Sequence, residues 1–135
     1  AKKNFPKSNL KVMDARRMKF QNNSFDIVIA FTLFSSILDK NIRKKISEEI
    51  NRVLKKGGVL LYYDIRYNNP FNRNVYKLTK NDIDYLFPHM EKTLKPLTVS
   101  PPLIRNMGIF SRRFYPLLAK INILQTHYLG LIKNA

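Results

Sequence analysis

An α/β fold on a largely parallel sheet is what these 135 residues predict, and three observations carry the prediction. Residues 25–31, FDIVIAF, and residues 59–65, VLLYYDI, are β-branched or aromatic and nearly continuously apolar. Such runs suit strands covered on both faces. Between them, residues 39–54 repeat Ile42, Ile46, Ile50, Val53 and Leu54 at helical spacing, which gives one buried stripe. Strand, helix, strand in that order reads as a right-handed crossover between parallel neighbours.

The elements follow in chain order. Residues 10–13 lean apolar and predict a short strand ending at Asp14. Residues 16–24 are polar, and QNNS is turn chemistry, because Asn tolerates left-handed backbone and bonds locally. After the first apolar strand, Asp39 or Asn41 can cap the helix. Lys44 with Glu48 and Lys45 with Glu49 stand at i,i+4 on its wet side. Lys55-Lys56 follow at the negative end of the dipole, and Gly57-Gly58 are expected to supply a left-handed stop. The second apolar strand leads into a loop over 66–74, rich in turn formers. Thr79 can cap a short helix through residues 82–86, ended by Pro88. Residues 94–99 read as a strand broken by SPPL, 114–121 as helical, and 126–132 as strand-like alternation.

Composition narrows the function classes. There are no cysteines, which removes disulfides, zinc-thiolate sites and thiol nucleophiles together, and fits a reducing, cytoplasmic compartment. The formal charge is +16, from 25 Lys+Arg against 9 Asp+Glu. A basic face for nucleic acid or anionic membrane is one explanation. Compositional bias toward Lys, Asn and Ile is the other, and the scatter of basic pairs such as Arg16-Arg17, Lys44-Lys45 and Arg112-Arg113 favours it. No apolar run approaches the ~18 residues of a membrane span, and the start lacks a secretory hydrophobic region. The chain begins without Met and meets its first strand within a few residues, so it is expected to be cut from something longer.

MDARRMKFQNNSFDIVIAF followed by EEINRVLKKGGVLLYYDIR resembles the central motifs of class I S-adenosylmethionine-dependent methyltransferases of the type 11 kind. Asp14-Ala15, Met18-Lys19-Phe20, Ser24-Phe25-Asp26 and residues 49–58 fill the family's places in order and spacing, with Lys56 where Pro is common. The tail LLAKINILQTHYLGLIK also resembles the family's closing helix and strand. The resemblance implies a partial Rossmann-like methyltransferase sheet with flanking helices, its first two strands missing. Residues 1–135 then form a single partial domain, with the motif-bearing core at 12–66 and C-terminal helices and closing strands at 67–135.

It further implies S-adenosylmethionine as cofactor. Asp14 and the backbone of Ala15 would read the adenine edge, and Met18 and Phe20 would wall the ring. Phe31 and Thr32 would face the methionine part and the reactive methyl. Asp64, Arg66 and Tyr67 are candidates for the acceptor side. Each has an ordinary alternative: a turn cap for Asp14, core for Met18 and Phe20, a solvated loop for the last three. Asp26, His89 and His127 read as structural, no catalytic residue is assigned, and no metal is expected. Methyl transfer leans on alignment and desolvation, so the want of an obvious acid or base does not count against it.

The family's Gly-x-Gly loop and ribose-binding acid precede the Asp14 strand. None of Gly57, Gly58, Gly108 and Gly130 forms such a loop. In the family's strand order, 3-2-1-4-5-7-6, the two absent strands separate the Asp14 strand from the one opening at Phe25. The expectation is that this chain alone binds S-adenosylmethionine poorly, and that its open edges meet an N-terminal half or a second copy in a homodimer or swapped assembly. The acceptor is expected to be a small molecule. The alternatives are an RNA methyltransferase using the basic surface and a catalytically inactive interaction module that keeps the fold. A nicotinamide enzyme is disfavoured, because the Glu-Ile-x-Arg-Val-Leu to Gly-Gly element is foreign to that fingerprint.

Overall fold

The computed structural model describes residue 4, residues 6–68 and residues 72–135. Strand β1 (Phe25–Phe31) leads through helix α1 (Lys40–Val53) to strand β2 (Leu54–Ile65). Helix α2 (Lys80–Leu86) and strand β3 (Met90–Val99) follow. Two short helices, α3 (Pro101–Asn106) and α4 (Ser111–Leu118), precede the last strand, β4 (Gln125–Asn134). The sheet order is β1-β2-β4-β3, with β1 and β2 parallel and β4 antiparallel to both of its neighbours. That is the 4-5-7-6 half of the order the resemblance implies. Of the loop expected over 66–74, residues 69–71 lie outside the described residues.

The central prediction holds: strand, crossover helix and parallel strand form as expected. Asp39 caps α1, its Oδ1 accepting the N–H groups of Asn41 at 2.7 Å and Ile42 at 3.1 Å. Ile46, Ile50, Val53 and Leu54 are buried. Ile46, Ile50 and Leu54 meet Ala30, Leu60, Tyr62, Ile83 and Ile132 in one core under α1 and α2. Fully burying one such aliphatic side chain is worth about 1.5–3 kcal/mol, so this cluster anchors the fold. Arg43 shares the buried face because its guanidinium donates to the carbonyls of Ile37 and Leu38 at 2.6 and 3.0 Å and lies over the Tyr76 ring. Helix α2 opens on a capping box between Thr79 and Asp82.

Several expectations are corrected. Residues 10–13 form no strand: Val12 is fully exposed, and the segment has no ladder partner among the described residues. An apolar lean alone cannot hold a strand without a neighbour's hydrogen bonds. Helix α1 ends in an extended residue at Leu54, before the glycines are reached. Leu54 already pairs with Phe25, and the register is interrupted before Ile27 meets Val59. Gly57, at φ +74°, serves that interruption within β2 instead of stopping the helix. Glu49 is half-buried and does not face solvent beside Lys45; its carboxylate pairs with Arg52. Strand β3 does end at Val99, as SPPL predicts, and Pro101 and Pro102 then start α3, since proline suits a first helical turn.

Helices cover only one face of the sheet among the described residues. Leu60, Tyr62 and Asp64 of β2 point into the core, whereas Ile27 and Ile29 of β1 stay 63% and 61% exposed on the other side. The apolar run of β1 therefore anticipates cover on both faces and receives it on one.

Candidate functional site: the carboxyl-end edge of the sheet

In α/β sheets the ligand crevice lies at the carboxyl ends of parallel strands. Here that edge carries Phe31 and Thr32 at the end of β1 and Ile65 and Arg66 past β2. Strand β3 runs parallel to β2, so Val99 ends at the same edge. Thr32 has φ +51°, a left-handed conformation that a β-branched residue avoids without a reason. Its N–H donates to the Tyr63 carbonyl at 2.7 Å, which holds the turn against β2.

Asp64 keeps that edge in place from below. It is completely buried. Its Oδ2 accepts the N–H groups of Phe34 at 2.9 Å and Ser35 at 3.2 Å, and Oδ1 accepts that of Ile65 at 3.1 Å. Burial raises its pKa, and the hydrogen bonds around Ser35, Ile65 and Phe34 oppose the rise. In this geometry Asp64 fixes the loop after β1; its carboxylate does not reach solvent. Arg66 and Tyr67 do reach it. The Arg66 guanidinium lies over the rings of Tyr67 and Tyr128 at 4.6 and 4.9 Å and donates to the Asn122 Oδ1 at 2.9 Å.

Asp14 and Ala15 open an exposed turn closed by the Arg17 N–H donating to the Asp14 carbonyl at 3.0 Å. Arg16 covers the Asp14 carboxylate: its N–H donates to Oδ1 at 2.9 Å and its Nη2 to Oδ2 at 2.6 Å. Those hydrogen bonds hold the Asp14 carboxyl at about 2, below the usual 3.8. The Ala15 N–H donates to nothing among the described residues. Ala15 and Met18 pack on the core, and Phe20 meets Phe25 edge-on at 4.9 Å.

Two residues hold this turn, and sequence reasoning missed both roles. Glu49 Oε2 accepts the Met18 N–H at 2.7 Å. Arg52 donates to the carbonyls of Met18 at 2.9 Å and Phe20 at 2.8 Å, and to Glu49 at 2.8 Å. The Glu-Ile-x-Arg element thus staples residues 18–22 to α1. The signal was its i,i+3 spacing, which places both side chains on one helix face.

Also unforeseen is an aromatic group on the open face. Tyr63 stacks on His127 at 4.7 Å with the rings 2° from parallel, and Phe31 meets Tyr63 at 5.8 Å. The Tyr63 hydroxyl bonds the Thr98 Oγ1 at 2.7 Å, and Thr98 sits at φ +66° where β3 skips a pairing. Half-burial lowers the His127 pKa, which keeps the ring neutral near neutral pH. His89 takes no part.

Residues 1–62 match the family described as methyltransferase domain. That stretch is similar to a methyltransferase domain. A sterol 4-C-methyltransferase of Caenorhabditis elegans, strm-1, is 33% identical over 75 residues, a match that takes in 53% of this chain and 21% of that protein. The PH0226 protein of Pyrococcus horikoshii shares the fold at a TM-score of 0.65, with 15% identity over 99% of this chain and 63% of that one. A methyltransferase structure from Methanosarcina mazei aligns at a TM-score of 0.56, with 17% identity over 91% of this chain and 66% of that one. The chain spans about a fifth of the curated relative and under two thirds of each solved structure named here.

S-adenosylmethionine is the family's cofactor, and the residues present fit its adenine end. An exposed carboxylate acceptor stands beside a backbone donor with no described partner, and an apolar ring lies a few residues on. No group of His, Cys, Asp and Glu able to hold a metal ion occurs among the described residues.

Proposed function

We propose that this chain serves S-adenosylmethionine-dependent methyl transfer to a small-molecule acceptor. The observation that carries the reading is the Asp14–Ala15 turn, an acceptor beside an N–H with no partner among the described residues, held to α1 through Glu49 and Arg52. Asp14 would accept from the exocyclic amine of adenine, Ala15 would donate to a ring nitrogen, and Met18 and Phe20 would flank the ring. Phe31 and Thr32 would border the methyl-bearing end. When bound, the cofactor supplies an electrophilic methyl on a sulfonium. What the protein adds is alignment and exclusion of water.

The acceptor would approach over Phe31, Tyr63, His127, Arg66 and Tyr67. Neutral His127 can take a proton from a hydroxyl acceptor, which needs a base more than an amine or thiol does. Asp64 contributes by placing the loop after β1. The name of the sterol enzyme supports a small organic acceptor. A reducing cytoplasmic setting rests on the lack of cysteine.

The test uses the protein as its gene encodes it. Asp14→Asn is expected to weaken S-adenosylhomocysteine binding by about tenfold, in line with loss of a charge-assisted hydrogen bond. Labelled methyl should pass to a small acceptor. Unchanged binding overturns the adenine assignment, and methyl transfer confined to RNA overturns the acceptor class. The 135 residues by themselves contain no glycine-rich loop, so weaker than micromolar affinity is expected of them in calorimetry.

A further inference from the structure

Residues 101–124 stand apart from the rest of the molecule. They join β3 to β4 through α3, α4 and two short 3-10 turns, and none of them is buried. A globular helix normally turns an apolar stripe to the core. Helix α4 turns its apolar residues outward: Phe114 and Leu117, at i,i+3, are 42% and 61% exposed, and Phe110 just before the helix and Ile121 just after it are 61% and 43% exposed. The segment contains Arg105, Arg112, Arg113 and Lys120 and no Asp or Glu; the last acid of the chain is Glu91. Among the described residues none of these four bases forms an ion pair.

We propose that residues 101–124 are an interfacial element that lies on an anionic lipid bilayer. Charge complementarity selects that occupant: exposed aromatic and aliphatic side chains enter the headgroup boundary while bases on the same element meet anionic headgroups. Nucleic acid would match the bases but leave Leu117 and Ile121 facing a polar backbone. No helix among the described residues is long and apolar enough to cross a membrane, so the element lies on the surface. It springs from the carboxyl-end edge of the sheet, where Asn122 bonds Arg66. The bilayer would then adjoin the acceptor side proposed above. Vesicle binding requires neither cofactor nor turnover, so its failure leaves the methyl-transfer reading standing.

The experiment is flotation of the full chain with phosphatidylcholine vesicles, with and without about a third of phosphatidylglycerol. Recovery with anionic vesicles, little with neutral ones and loss in high salt are expected. The pair Phe110→Ser, Phe114→Ser and the pair Arg112→Glu, Arg113→Glu should each weaken binding by about tenfold or more while far-UV circular dichroism stays unchanged. The pair Ile27→Ser, Ile29→Ser, on the open sheet face, should leave it unchanged. Equal recovery with both vesicle types, insensitivity to the first two pairs, or loss through the sheet-face pair alone overturns the proposal. So does retention on single-stranded RNA without vesicle binding.

Discussion

The carboxylate of Glu49, on α1, accepts the backbone N–H of Met18 at 2.7 Å across 31 residues of sequence. This bond and the Arg52 fork turn a surface-looking helix segment into the support of the candidate adenine loop. Arg52 first, through its hydrogen bond, holds the Glu49 pKa below its ordinary 4.5. A depressed acid contributes stability that is present above its unfolded pKa and lost as pH falls through the folded one. The protection factor of the Met18 amide, relative to its intrinsic exchange rate, should therefore fall as pH drops below the ordinary Glu value and through the lowered folded one. Arg52→Ala should show the lower protection already at neutral pH, with α1 otherwise protected. Unchanged Met18 protection in that variant would show that the loop holds itself.

Asp64 behaves in the opposite sense. Burial raises its folded pKa above the unfolded value of about 3.9. Its contribution is therefore full below that value and shrinks as pH rises through the folded pKa. Asp64→Ala leaves the N–H groups of Phe34 and Ser35 buried without an acceptor, and should lower unfolding stability by about 2–3 kcal/mol. Urea titrations at pH 4 and pH 7 check both parts. The deficit of the variant should be larger at pH 4; a larger deficit at pH 7 would reverse the assigned sign.

Arg16 and the proposed ligand compete for one carboxylate. With Arg16 in place the Asp14 carboxyl titrates at about 2; in Arg16→Ala it should return toward 3.8, as carboxyl-carbon NMR would record. The pair's contribution is present above the unfolded pKa and disappears as pH falls through about 2. Freed from Arg16, Asp14 should bind S-adenosylhomocysteine more tightly at low salt. Weaker binding in that variant would mean that Arg16 itself touches the ligand.

How far the sequence carried depended on what each signal could see. The stripe Ile46, Ile50, Val53 and the run 25–31 report burial directly, so the strand–helix–strand unit was legible. The Asp14 strand was not, because an apolar lean over 10–13 says nothing about a ladder partner. Glu49 looked solvated because i,i+4 spacing describes a helix alone and is blind to a loop returning from residue 18. The stack of Tyr63 on His127 joins residues that only the β2–β4 register brings together, so His127 read as isolated. Pro101-Pro102 was ambiguous by nature, since proline both ends strands and starts helices.

The two adjacent glycines should respond very differently to alanine, although the motif treats them as a unit. Gly57 has φ +74° and open space where a side chain would go, so Gly57→Ala strains only the backbone and should destabilise by about 1 kcal/mol. Gly58 is held where a Cβ would stand 2.8 Å from the Lys55 carbonyl oxygen and 3.1 Å from that of Asp26. Both are main-chain atoms at the register break between β1 and β2, and neither can swing aside as a side chain could. Gly58→Ala should therefore displace the ladder and destabilise by about 3 kcal/mol, the upper end of overpacking. Urea midpoints of the two variants at equal m-value decide the matter. Equal losses would mean that the backbone around Lys55 yields more readily than its hydrogen bonds to Asn134, at 3.2 and 3.3 Å, indicate.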